Sequence, residues 1–92
     1  MLTAQIKTDM IAAMKAREQV KVDTLRGAMT AFTNELVSKG RKPTEELADD
    51  EAIVVLKRLA KQRKDSIEQF TAGNRPELAE KEAAGLKFIE VY

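Results

Sequence analysis

The sequence predicts an all-α protein, a small bundle of about four helices, and three observations carry that expectation. Strong helix formers (Ala, Leu, Lys, Glu, Arg and Gln) dominate the chain, while aromatic residues make up 4%. The break signals concentrate in two stretches, "KGRKPTEE" (Lys39 to Glu46) and "AGNRPE" (Ala72 to Glu77). Around these breaks apolar residues recur at intervals of three and four, and no alternating run is long enough for a strand.

The first helix is expected from Thr3 to about Ala16. Leu2, Ile6, Met10 and Ala13 make its stripe, and the Thr3 hydroxyl is placed to cap its start. The second carries Val22, Leu25, Met29, Phe32 and Leu36 and ends at Lys39-Gly40, where glycine tolerates the left-handed conformation. No Gly or Pro separates these two helices. Their stripes, however, differ in direction by roughly 120°, which one straight helix cannot accommodate. A break is therefore expected near Arg17-Glu18-Gln19.

The third helix is expected to start at Asp49 or Asp50, where acidic residues meet the positive end of the helix dipole. Ile53, Leu56, Ala60, Ile67 and Phe70 form its stripe, widened by Val55 and Leu59. The fourth begins after Gly73, with Asn74 as cap, Glu77 reaching back, and Pro76 in the first turn. Its stripe is Leu78, Leu86 and Ile89. Gly85 interrupts it, at about 1 kcal/mol relative to Ala.

Ninety-two residues suit a single domain with a thin core. Cys and His are both absent, which removes thiolate chemistry, the commonest general base and the commonest metal ligand. No catalytic residue, cofactor site or metal site is assigned. Sixteen basic against fifteen acidic residues leave a net charge of +1, so any pull on nucleic acid must come from local clustering. The longest uncharged apolar run, Ala52 to Leu56, is far short of the roughly 20 residues a membrane span needs. The opening "MLTAQIKTDM" carries charges where a signal peptide has an apolar core. A soluble, cytoplasmic protein is the expectation.

The segment "LAKQRKDSIEQF" (Leu59 to Phe70) holds the candidate binding residues. On a helical wheel Lys57, Lys61 and Lys64 lie along one ridge opposite Leu56, Ala60 and Ile67, with Arg58 nearby. Such a stripe is a candidate nucleic-acid-binding surface. The competing reading is a solvated face, since Lys61 with Asp65 and Lys64 with Glu68 are spaced for helix-surface ion pairs. Arg63 falls inside the apolar stripe. Either its guanidinium snorkels to water or it meets a carboxylate from another helix, with Asp9, Asp23 and Glu35 as candidates. Asp23 and Arg26, three apart, are also placed to pair. Gln62 and Ser66 either bond across a helix junction or face solvent.

Three blocks, "DMIAAMKAREQVKVDTLRGAMTAFTNE", "LKRLAKQRKDSIEQF" and "AGNRPELAEKEAAGLKFIEVY", resemble the YqeY-like (GatB/YqeY) family over nearly the whole chain. The resemblance implies a protein similar to the helical tail of GatB, a subunit of the amidotransferase that corrects misacylated Glu-tRNA or Asp-tRNA. It further implies that this chain corresponds to the first of two helical subdomains, the C-terminal one being absent after Tyr92. Leu25 and Arg26 match the family's Leu-Arg pair, and Lys61, Gln62, Arg63, Asp65 and Ser66 match its KQR-x-DS block. Family members often carry a glutamate at the Gly85 position. Two functions are thus expected from different classes. One is a non-catalytic module associated with tRNA or a tRNA-dependent amidotransferase. The other is a protein-interaction or self-associating domain, with Val54, Val91 and Tyr92 off the main stripes. An enzyme acting on its own lacks a nucleophile–base set.

Overall fold

The computed structural model describes residues 1–92 as four helices, α1 (Leu2–Lys15), α2 (Gln19–Ser38), α3 (Asp49–Ala72) and α4 (Pro76–Glu90), with no strand. The break between α1 and α2 falls where the change of stripe direction requires it. Arg17 takes a positive φ of 60°, and the Glu18 and Arg17 amides donate back to the Ala13 and Met14 carbonyls at 2.9 and 3.2 Å. The same device ends α2, where Gly40 has φ 72° and the Arg41 and Gly40 amides donate to Leu36 and Val37. It ends α3 as well, with Asn74 at φ 60° and the Arg75 amide donating to Phe70 at 2.8 Å. All three helix ends thus satisfy their orphan carbonyls by one local motif. At the third, Asn74 rather than Gly73 takes the left-handed position, and Gly73 keeps an ordinary φ of −82°. Asn74 therefore does not cap α4. Arg75 precedes that helix without a side-chain cap, and Pro76 opens it as expected.

Helix starts are tied by longer-range contacts. Thr3 does not cap α1, because Met1 is the N-cap and the Thr3 hydroxyl is buried without a partner. Instead the Leu2 amide donates to Asp49 Oδ1 at 2.8 Å, so the first turn of α3 supplies the carboxylate for α1. Glu51, in that same turn, gathers three donors. It accepts from the Ala48 amide at 3.0 Å, from Lys39 Nζ at 2.9 Å and from Arg41 Nη1 at 3.0 Å. The end of α2 is thereby fastened to the start of α3 around the connecting loop. These bonds, that from Lys39 foremost, hold the Glu51 carboxyl down to about 2, and the same contact raises the Lys39 ammonium.

The core joins Ile6 of α1, Leu25, Ala28, Phe32 and Leu36 of α2, Ala52, Val55 and Leu56 of α3, and Ile89 of α4. Leu47, from the connecting loop, is fully buried among them, a position that helical periodicity does not anticipate. α2 and α3 each pack against the other three helices. The α3 stripe is turned relative to the expected one. Ala52, Val55 and Leu56 face inward, Ile53 is exposed, and Ile67 and Phe70 are half-buried. α3 and α4 run antiparallel, with Arg63 level with Glu82, and Leu56 and Ala60 level with Ile89 and Tyr92.

The molecule is flat, 41 × 30 × 17 Å. Only 15 residues are buried, and the accessible surface is 6181 Å². A compact protein of this mass exposes about 5,400 Å², so the helices leave unusual area uncovered. No helix is long and apolar enough to cross a membrane.

Two outcomes test this architecture. Leu47→Ala removes a fully buried side chain and should lower unfolding free energy by about 2–5 kcal/mol in urea titration. Glu51→Gln should also lower the urea midpoint, in a pH-dependent way. A carboxyl held below its unfolded value stabilises the fold above about pH 4.5 and loses that contribution as pH falls toward about 2. The gap between wild type and Glu51→Gln should therefore be full at neutral pH and close across that acid window.

Candidate nucleic-acid interface

Antiparallel packing of α4 on α3 leaves an open groove of about 410 Å³ between them. Its apolar floor comes from Ile53, Leu56 and Ala60 of α3 and Ile89 of α4, with Tyr92 at one end. Lys57, Lys61 and Lys64 stand along it, so the three lysines border these apolar residues rather than oppose them. Four-residue and three-residue steps on α3 carry them over about 10 Å of helix.

Their electrostatic states differ. Lys57 makes no ion pair. Lys61 lies 3.7 Å from Asp65 but is 80% exposed, so solvent screens that pair. Lys64 sits 3.9 Å from Glu90 across the groove, not from Glu68 as the spacing predicts. Arg58 is not part of the groove. Its guanidinium turns to Glu35 of α2 at 3.2 Å, and Lys39 approaches the same carboxylate at 3.8 Å. At the groove's end the Tyr92 hydroxyl donates to Asp9 Oδ2 of α1 at 2.5 Å, which fixes the ring in place. Partial burial and the neighbouring Asp9 carboxylate both push the phenol above its ordinary value.

The remaining polar candidates divide. Gln62, Arg63 and Ser66 converge on a second hollow of about 250 Å³ with Thr24 of α2 and Glu82 of α4. Arg63 Nη1 donates to Glu82 Oε2 at 3.0 Å, so its partner is none of Asp9, Asp23 or Glu35. Asp9 is taken by Tyr92, Asp23 accepts from Gln19 at 2.7 Å, and Glu35 belongs to Arg58 and Lys39. Asp65 faces solvent beside Lys61. Arg26 is exposed and does not pair with Asp23. Gly85 explains how Arg63 fits. A Cβ there would stand 2.6 Å from Arg63 Cζ and 2.9 Å from Thr24 Oγ1. Gly85 is thus a point of close approach, and its propensity loss in α4 is the condition for the Arg63–Glu82 contact. No cluster of three or more acidic side chains is arranged to hold a metal ion.

A four-helix module with a lysine-bordered groove and a polar junction beneath it defines a class, and comparison with known proteins makes it particular. The chain belongs to the Yqey-like protein family, whose model matches residues 3–92. It is similar to "Altered inheritance of mitochondria protein 41, mitochondrial" of Kluyveromyces lactis, 34% identical over 89 residues, covering 97% of this chain and 46% of that protein. The protein of the same name from Lachancea thermotolerans is 33% identical over the same shares, and that from Saccharomyces cerevisiae 33% over 95% of this chain and 45% of the relative. The chain spans about half the length of the curated relatives it matches. Their names overturn the cytoplasmic expectation, because these relatives are mitochondrial proteins. Internal charge and composition cannot report a location set by an address elsewhere in a chain.

Gly85→Ala tests the junction. Helix propensity alone would stabilise α4 by about 1 kcal/mol, but the added methyl displaces Arg63 and crowds Thr24. A net loss of about 1–3 kcal/mol is expected by thermal unfolding. In the Arg63→Ala background the loss should shrink, because one of the two obstructing groups is gone.

Proposed function

We propose that the chain is a non-catalytic helical module that meets tRNA phosphates through Lys57, Lys61 and Lys64, working beside a tRNA-dependent amidotransferase. The observation that carries this reading is the gathering of those lysines along one groove, with Lys57 unpaired and Lys61 largely solvated. Family membership and the resemblance to the helical tail of GatB support it. The absence of Cys and His from the chain supports a binding rather than a chemical role. The relatives' names support a mitochondrial setting for such work. Arg58 contributes less than the lysines, since Glu35 already holds its charge.

A second reading, a protein-interaction or self-associating surface, is favoured by Val54 and Val91, exposed to 56% and 77%. A mass that rises with concentration in sedimentation would support it.

Binding of unmodified tRNA at a series of salt concentrations tests the first reading. Each phosphate neutralised contributes about 0.7–0.9 to the slope of log K against log salt. Replacing Lys57, Lys61 and Lys64 by Gln should weaken binding and flatten that slope by about two to three. Arg58→Gln should change it by less than one. No detectable tRNA binding at low salt removes the reading.

A further inference from the structure

The groove has more to it than lysines. A phosphate backbone alone would leave its apolar floor against water, and duplex RNA presents only sugars, phosphates and a shallow groove to such a surface. An unpaired base, by contrast, has a flat apolar face, and its neighbouring phosphates lie within reach of a short row of cations. Three features of the groove match that combination. The floor is formed by Ile53, Leu56, Ala60 and Ile89, small or branched side chains that leave a hollow of about 410 Å³. An aromatic ring stands at its end, already oriented because the Tyr92 hydroxyl is bonded to Asp9. Lys57, Lys61 and Lys64 line the same groove.

On the reading that these lysines meet RNA, we propose that the groove receives an unpaired nucleobase of a single-stranded RNA segment, packed on Leu56, Ala60 and Ile89 beside the Tyr92 ring, with the flanking phosphates on Lys57, Lys61 and Lys64. Glu90 sits at the rim, and its charge is partly offset by Lys64 at 3.9 Å. The base is selected for being unpaired rather than for its identity, because the floor offers no row of donors and acceptors to read its edge.

Fluorescence anisotropy with three RNAs tests this: a blunt hairpin, the same hairpin with a single-stranded 3′ overhang, and the overhang carrying abasic residues at unchanged phosphate number. The overhang should bind about tenfold more tightly than the blunt hairpin, and the abasic version should return to the blunt level. Ala60→Phe fills the floor and should abolish the overhang preference, so that overhang and blunt hairpin bind this variant equally. Tyr92→Leu keeps apolar area but removes the ring, and should reduce the preference severalfold. Should either variant fail to fold, the three RNAs on the wild-type protein still decide. Equal affinity for all three overturns base insertion while leaving phosphate binding intact. No binding of any RNA overturns both. An acidic amphipathic peptide that binds the groove, with the overhang no better than the blunt hairpin, assigns it to a protein partner and overturns the proposal.

Discussion

The close approach of α4 to α3 at Gly85 is the constraint on which the other features rest. Apolar burial brings the two helices together but is non-directional, and it tolerates several registers nearly equally. The Arg63 guanidinium does not. It needs a gap in the surface of α4, a carboxylate one turn away, and room beside Thr24, and Gly85 and Glu82 provide these in the observed register. That register carries Ile89 into the core, aligns Glu90 with Lys64 and delivers Tyr92 to Asp9. The groove is what remains between the helices once these contacts are made.

A chain this small has little core with which to hold such an arrangement. The flat shape and the surface in excess of a compact protein's leave α3 exposed along much of its length. Polar ties between neighbouring segments compensate. Asp49 anchors the start of α1, and Glu51 binds the end of α2 to the start of α3 through Lys39 and Arg41. Three of the four helix ends are closed by left-handed residues whose amides reach back into the preceding turn. Each tie contributes modestly, but together they fix where the helices begin, end and turn.

Local chemistry made much of this legible in advance. The change of stripe direction between Ala13 and Val22 locates the first turn, Gly40 ends the second helix, and the acidic run at Asp49 starts the third within a residue. The lysine ridge was readable too, because residues four and three apart share a helix face. Contacts between distant segments were not readable. Leu47 has no periodic neighbours to mark it as core, Asp49 looks like a helix-start charge rather than the cap of another helix, and Glu82 is one acidic residue among fifteen. Gly85 shows the limit most clearly. Read along α4 it is a weak point, whereas read across the helices it is the opening for Arg63.

The functional reading inherits this dependence, since lysines on a free helix are only a solvated stripe. Beside Ile89 and an anchored Tyr92 they become the edge of a groove with a defined width. The register of α4 on α3 is therefore the quantity to measure, by methyl and aromatic nuclear Overhauser contacts in solution. Cross-peaks joining Ile89 to Leu56 and Ala60, and the Tyr92 ring to α1 around Asp9, are expected. If Ile89 instead contacts the Ile67–Phe70 end of α3, or if the Tyr92 ring shows no contact with α1, the groove does not exist as described and the binding account built on it is contradicted.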